Sequence, residues 1–363
     1  MGKGYEYQNP DQPQDREENE REMSLRVAML TRDYPPDIGG IPKHVYNLAR
    51  KLRELSVDVE VFKGSSDAGT LLAPLRKTLR EGDHDLIHIQ SLPYAMFAPR
   101  KPLVVTVHSP VLEEGKYYTG VRRVKRPLAI PPEVISTLRA DAIIAVSMKT
   151  ESDLRRLYAW ASAKRIYRIP NGVDTELFRP GSKPEGKAVI TMASRLDRRK
   201  NIEEVLTALS RVHGEYELHI VGEGPEKPRL QRIAALLGVK ASFTGRLDEH
   251  QLAQRLANTH IFISSSLSEG FGLSLLEAMA ASCCVIASNI PAHRELIENN
   301  RDGLLYTGVN ELTKILSELV KDLGRAKAFG EAARAKALRY SWDIIARKTR
   351  QVYEAVLGEA GSL

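Results

Sequence analysis

The residues best placed to do chemistry lie in Ser268-Glu269-Gly270-Phe271-Gly272-Leu273-Ser274-Leu275-Leu276-Glu277-Ala278-Met279, where two glutamates stand eight positions apart around a Gly-x-Gly turn. Ile261-Phe262-Ile263 before it reads as a short buried strand, and Leu275 to Ala281 has helix-forming composition. The segment is a strand–loop–helix junction, with free backbone N–H groups at the positive end of a helix. Glu269 falls in the loop, and Glu277 lies further along, inside the helix. Carboxylates accept hydrogen bonds from sugar and ribose hydroxyls, while a helix end takes phosphate. That combination suits a sugar nucleotide.

A second constellation is cationic. In Ser194-Arg195-Leu196-Asp197-Arg198-Arg199-Lys200-Asn201, Arg195 and Lys200 bracket a loop that leads into a helix near Asn201. Cations beside a helix N-terminus work against the helix dipole, and a bound anion relieves that conflict. Fixed cations also stabilise the negative charge that a departing diphosphate acquires, without a metal. Arg198 and Arg199 read as solvated. His108 ends an apolar strand, Val104-Val105-Thr106-Val107-His108-Ser109-Pro110. Asp33 to Pro42 follows the first strand, and its Gly39-Gly40 pair permits close backbone approach to a ligand. It is not G-x-G-x-x-G, which counts against a dinucleotide oxidoreductase.

These residues need a scaffold, and the hydrophobic pattern supplies one. Strand-like runs occur at Arg26–Leu30, Val57–Phe62, Leu86–Ile89, Leu103–Val107, Ala142–Val146 and Ile166–Ile169. A helix over Lys43–Leu55 is clearest, with Val45, Leu48, Ala49, Leu52 and Leu55 at helical spacing. Strands alternating with helices predict a parallel sheet wound by right-handed crossovers. The turn-rich stretches Pro170 to Asp174 and Phe178 to Gly186 break the pattern and read as a linker. A second series follows, with strands at Ala188–Met192, Glu217–Val221, Ala241–Thr244, His260–Ser264 and Cys284–Ala287. Its helices fall near Ile202–Val212, Lys227–Leu237, His250–Ala257 and Gly272–Ala281. From Asn310 to Leu363 the composition is helical, interrupted only near Tyr340-Ser341-Trp342. The pattern predicts an α/β fold of two successive Rossmann-like, doubly wound series joined by one linker, which fits two domains facing across a cleft as in the family resembled below.

Composition sets the outer bounds. The 363 residues favour two domains, and 42% hydrophobic with 27% charged residues is ordinary for a soluble globular chain. No apolar run approaches the ~18 residues of a membrane span. The polar N-terminus is not a secretory signal. Adjacent Cys283 and Cys284, in an apolar run, offer no zinc or disulfide framework. The expectation is a cytoplasmic protein. Residues 1–22 carry 3 Lys/Arg against 7 Asp/Glu and read as a disordered tail. Residues 23–170 carry 24 against 15, a basic half suited to peripheral contact with an anionic membrane, though a solvated surface accounts for the same charge. No nucleic-acid partner is expected.

The Glu269–Glu277 segment resembles the E-x7-E signature of retaining glycosyltransferases of family 4, which have the GT-B architecture. The resemblance runs from about Leu25 to the C-terminus, with several motifs in the family's order. It implies an acceptor-side domain over residues 23–172 plus 341–363, the last helix crossing back, and a nucleotide-sugar domain over 173–340. It implies that Glu269 orients donor-sugar hydroxyls, that Glu277 holds the ribose, and that His108 meets the transferred sugar. Gly39, Gly40, Arg195, Lys200, Phe271, Gly272 and Leu273 would serve the diphosphate, and Gly245-Arg246-Leu247 the nucleobase edge. Val221-Gly222-Glu223-Gly224-Pro225 would flank the donor. Asp141 to Ser147 and Pro170-Asn171-Gly172-Val173-Asp174 also match the family pattern, with Asn171 and Asp174 read as hinge and turn residues. Ser109-Pro110 departs from the acidic or glycine residue that often follows the histidine. Relatives often carry more chain than Lys63–Asp85 between those two strands, so the acceptor surface is expected to be unusual. The basic Lys116 to Arg126 strip, with Tyr117 and Tyr118, falls where relatives shape the acceptor site.

The implied activity is metal-independent, retaining transfer from a UDP-, GDP- or ADP-sugar to a hydroxyl of a glycan, glycolipid or small molecule. The nucleotide sugar is a substrate, no cofactor is implied, and no D-x-D at a strand's carboxyl end offers a metal site. A sugar-nucleotide epimerase of the same architecture would need acid/base carboxylates in the first domain's cleft, and none can be placed there. A non-catalytic nucleotide-sugar-binding or nucleic-acid-binding protein would lack the donor-site residues, which are present.

Overall fold

The computed structural model describes residues 25–35, 39–63, 83–90, 101–110, 130–158 and 165–360. The expected tail over 1–22, the Lys116 to Arg126 strip and most of the Lys63–Asp85 connection lie outside these residues.

The first series builds a parallel sheet from β1 (Leu25–Thr31), β2 (Val57–Lys63), β3 (Leu86–Ile89), β4 (Leu103–Val107), β5 (Ala142–Ala145) and β6 (Arg165–Arg168). Their order among the described residues is β2-β1-β3-β4-β5-β6. Strands β3, β4 and β5 are buried along their whole length, as continuous apolar runs covered on both faces must be. Around them lie α1 (Gly40–Glu54), α2 (Ile130–Arg139) and α3 (Met148–Leu157). Helix α1 buries Val45, Leu48, Ala49 and Leu52 on the face its sequence spacing marks. Ser147 caps α3, its hydroxyl accepting from the Thr150 N–H.

The second series forms another parallel sheet from β7 (Ala188–Ala193), β8 (Tyr216–Val221), β9 (Ala241–Gly245), β10 (Ile261–Ser264), β11 (Cys284–Ser288) and β12 (Leu304–Tyr306). Its order is β12-β11-β10-β7-β8-β9. The helices are α4 (Ile202–Leu209), α5 (Lys227–Leu236), α6 (Glu249–Ala257), α7 (Leu273–Ala280), α8 (Pro291–Leu296), α9 (Val309–Leu319) and α10 (Leu323–Ala337). Cys283 and Cys284 are buried and unpaired, and burial pushes both thiols up to about 12.

Three features depart from the sequence reading. The three-residue β12 and the six-residue α8 are too short to show a period of their own. The C-terminal helical stretch breaks once more than expected, between α9 and α10, where Asp322 caps α10 by accepting from the Arg325 N–H. Helix α6 begins at Glu249 under a capping box of Asp248 and Gln251, one residue earlier than the apolar pattern suggests.

After α10 the chain turns through Leu338–Tyr340 into α11 (Trp342–Ala360). Trp342, Ile345, Ala346, Val352, Tyr353 and Val356 pack into the core formed by β1, β3, β4 and α1 of the first sheet. The linker is stitched to this return, since Val173 donates its N–H to the Tyr340 carbonyl at 2.8 Å. Trp342 is 3% exposed and lies edge-on to His44 at 5.4 Å. Trp342→Ala should cost about 3–5 kcal/mol of first-domain stability, measured as an earlier urea transition with the second domain's transition unmoved. An unshifted first transition would show that the return helix does not hold that core.

Candidate active site between the two sheets

The carboxyl ends of the two sheets face each other across a cleft of about 900 Å³. In open parallel sheets such crevices form where the strand order reverses. In the second sheet that point lies between β7 and β10, and the loops after these strands carry Arg195 and Lys200, and Glu269. On the first sheet Gly40 opens the helix after β1, and His108 immediately follows β4. Of the residues singled out from the sequence, the cleft walls bring together Gly40, His108, Arg195, Lys200, Glu269 and the run Phe271-Gly272-Leu273.

Two close approaches set its width. A Cβ on Gly270 would stand 2.9 Å from the His108 carbonyl oxygen, and one on Gly40 would stand 3.1 Å from Leu273 Cδ1. Gly272 caps α7 with φ 102°, in the left-handed region that glycine adopts without strain. Gly222 has another task. Its φ is 132° and a Cβ there would lie 1.9 Å from the Ser194 carbonyl, so the β8 loop presses directly on the loop that carries Arg195.

The charged groups are unequal. Arg195 is exposed and makes no ion pair among the described residues, whereas Lys200 is half-buried and paired with Glu269. The Ser266 hydroxyl donates to the same Glu269 oxygen at 2.7 Å. Burial disfavours the Glu269 carboxylate, but Lys200, with Arg199 and Ser266, outweighs it and holds the group below the usual carboxylate range. Serines brace this loop from beneath: Ser265 donates to the Lys200 carbonyl at 2.7 Å and Ser288 to the Ser266 carbonyl at 2.6 Å. Arg198, although exposed, lies on the cleft wall and pairs with Glu226.

Glu277 does not line this cleft. It is 5% exposed and meets Lys43 of α1, which also lies 2.9 Å from Glu249 and 5.0 Å from the Phe178 ring centroid. The expected ribose carboxylate is therefore clasped by a lysine of the other domain. Burial opposes charge on Lys43, yet the two carboxylates outweigh it and raise its pKa. Burial raises Glu277, Lys43 offsets this only in part, and the nearby Glu249 carboxylate adds to the rise. Gly39, Gly245, Arg246 and Leu247 also stand outside the cleft walls, and the Gly245 carbonyl already accepts from the Gly222 N–H at 2.7 Å.

On the first sheet the sequence reading missed several residues. Asn171, expected as a hinge, is buried, lines the cleft and bonds His44 Nδ1 through its Oδ1 at 2.8 Å. Asp174 does serve the turn, accepting from the Glu176 and Leu177 N–H groups. His44 packs edge-on against His108 at 4.8 Å. Burial lowers His44 to about 4 and His88 to about 3. Burial, with His44 and His88 beside it, also lowers His108 well below its ordinary value. All three rings are neutral at pH 7. The signal for Lys43 and His44 was present in the amphipathic α1, but only tertiary contact shows what they face. Among the described residues no group of three or more His, Cys, Asp or Glu is placed to hold a metal ion, and no helix is long and apolar enough to cross a membrane.

Residues 173–336 match the family described as Glycosyl transferases group 1, and residues 65–177 match Glycosyltransferase Family 4. The chain is 26% identical over 396 residues to the alpha-maltose-1-phosphate synthase of Mycolicibacterium smegmatis, covering 92% of this chain and 100% of that protein. It is 25% identical over 382 residues to the phosphatidyl-myo-inositol mannosyltransferase of the same organism, covering 92% and 95%. Its fold superposes on sucrose-phosphate synthase from Thermosynechococcus elongatus with a TM-score of 0.80 at 21% identity, covering 92% and 100% of the chains. Anabaena HepE, solved with UDP and glucose, gives a TM-score of 0.73 at 20% identity, covering 91% and 100%.

The buried histidines predict an acid-sensitive first domain. Below pH 6.5 the unfolded chain binds protons at His44 and His88 that the folded chain refuses, until the folded values of about 4 and about 3 are reached. Each should remove about 1.4 kcal/mol of stability per pH unit in that window. Thermal unfolding between pH 7 and pH 4.5 should show the first-domain transition falling as the pH drops; a flat profile would mean that the rings are charged or exposed.

Proposed function

For a chain that belongs to the GT-B glycosyltransferases, we propose transfer of a sugar from a nucleoside diphosphate sugar to a hydroxyl acceptor, with retained configuration and without a metal ion. One observation carries this reading: Arg195, with no ion pair among the described residues, the Lys200–Glu269 pair and the N-terminus of α7 share the cleft with His108. A donor diphosphate laid on the α7 N-terminus finds backbone N–H groups and the Arg195 guanidinium together. As the sugar C1–O bond breaks, the leaving diphosphate gains negative charge, and these preorganised groups oppose it at no cost in reorganisation. In this reading the protein's own cations take the place of a divalent ion. UDP in the HepE neighbour supports a uridine donor among the candidates.

Retention follows if the acceptor hydroxyl attacks C1 from the face the phosphate leaves. The acceptor oxygen forms the new bond to C1, and its proton passes to the departing phosphate oxygen, so no enzyme base is consumed. Glu269, ionised at neutral pH, accepts hydrogen bonds from the donor-sugar hydroxyls and carries negative charge near the developing oxocarbenium centre. His108, neutral and opposite, hydrogen-bonds the same sugar in this reading. Glu277 reaches the ribose once Lys43 yields its carboxylate.

Two experiments test this. Transfer measured with a panel of nucleotide sugars should survive excess EDTA; complete loss on chelation, restored by manganese or magnesium, would overturn metal independence. The glutamates separate binding from turnover. Glu277→Ala should weaken binding of the bare nucleoside diphosphate in calorimetric titration by roughly 10-fold or more, the worth of a charge-assisted hydrogen bond. Glu269→Ala should bind it almost normally yet lose turnover, because its partner is the sugar whose charge develops only in the transition state. Equal nucleotide affinities, or the reverse order, would show that the two carboxylates are wrongly placed in this mechanism.

A further inference from the structure

Successive side chains along extended backbone alternate between faces, so His88 on β3 and Gln90 just past its end share one face, as do Thr106 on β4 and His108 just past its end. The strands pair with His88 opposite Val104 and Ile89 opposite Val105, so the polar pairs stack toward the cleft in two steps. Above Leu86 and Val104, which lie in the same core as α11, come His88 and Thr106, then Gln90 and His108. His88 is 0% exposed and Gln90 1%, so their polar atoms must find partners within the protein.

They find one another. His88 Nδ1 lies 2.6 Å from Tyr353 Oη on α11, and its Nε2 lies 2.7 Å from Thr106 Oγ1. Gln90 Nε2 is 3.3 Å from His88 Nε2, and Gln90 Oε1 is 3.3 Å from His108 Nε2. The chain runs from the C-terminal helix, through the sheet, to the cleft wall.

Its donors and acceptors have a direction. An amide nitrogen only donates, so His88 Nε2 is an acceptor and the proton of this neutral ring sits on Nδ1, donated to Tyr353. An amide oxygen only accepts, so the facing His108 Nε2 carries the proton. We propose that Gln90, oriented by the buried His88–Tyr353 pair, is a positioning residue that holds His108 as its Nε2–H tautomer and leaves Nδ1 an acceptor. This rests on the reading of His108 as the residue that meets the transferred sugar. A neutral imidazole presents a donor at one nitrogen and an acceptor at the other, so a wrong tautomer turns the sugar contact from attraction to repulsion. Burial beside His44 and His88 keeps the ring neutral, which is the condition for a tautomer to matter.

Tyr353→Phe reverses the chain without adding bulk. Without the phenol oxygen, the His88 proton moves to Nε2, Gln90 turns its oxygen toward His88, and its nitrogen then requires a lone pair on His108 Nε2. Gln90→Leu cuts the chain. Long-range 1H–15N NMR of histidine-labelled full-length protein at pH 7, without substrate, reads the tautomer directly. Wild type should show His108 protonated at Nε2, Tyr353→Phe protonated at Nδ1, and Gln90→Leu a mixture. In transfer assays Gln90→Leu should lower kcat about tenfold with the donor KM within about twofold, since a tautomer-setting bond acts on the sugar rather than the nucleotide. A wild-type His108 bare at Nε2, or both variants keeping the wild-type tautomer and kcat, would overturn the proposal. The spectra need no turnover, so a chain that moved no sugar would refute the functional reading and leave the tautomer result standing on its own.

Discussion

Neither glutamate of the eight-residue pair could be buried ionised without a cation at hand, and each has one. The cost of stripping water from a carboxylate is several kcal/mol even after relaxation, so the lysine partners are a requirement of the fold before they are a feature of the site. Lys200 comes from the glutamates' own domain and holds Glu269 in the loop above α7. Lys43 comes from α1 of the other domain and reaches Glu277 across the interface. One pair therefore stabilises the loop above α7, and the other ties α1 to α7 across the interface. The electrostatics differ: burial disfavours both carboxylates, but Lys200 with Arg199 and Ser266 outweighs it at Glu269, whereas at Glu277 burial and the neighbouring Glu249 outweigh Lys43.

Around these pairs the cleft is defined by backbone rather than by bulk. Gly270 against the His108 carbonyl and Gly222 against Ser194 bring loops to distances at which any side chain would collide. The loop bearing Arg195 is consequently fixed by the β8 turn behind it, and an exposed guanidinium on a fixed loop is available to an anion without needing to be ordered by it. The Gly-x-Gly-Pro run that the resemblance assigns to the donor's flank owes its first glycine to this packing.

To the charged loops of the second domain the first adds a cluster of buried neutral polar side chains. His44, His88 and His108 are packed together with Gln90, Thr106 and Asn171, each neutral because burial leaves no room for a proton's charge. The return of α11 closes this region, with Trp342 against His44 and Tyr353 against His88. A helix at the end of the chain thus sets the polarity of a wall built near its beginning.

The architecture and half of the site were legible in the sequence because they depend on local pattern. Apolar runs alternating with 3.6-period stretches specify parallel strands and their helices, and the chirality of crossovers leaves few ways to wind them. Glu269, Arg195, Lys200 and His108 could be found because each lies in the segment that follows a strand, where a βα loop delivers it to the carboxyl edge of a sheet. The short β12 and α8 were not legible, since three and six residues complete too little of any period. Which carboxylate meets which lysine was not legible either: Lys43 and Glu277 are separated by 234 positions. Tyr353 and His88 are 265 apart. Long-range pairing of buried polar groups is decided only when the two sheets and the returning helix close on one another, because only then does water leave and force each group to choose a partner.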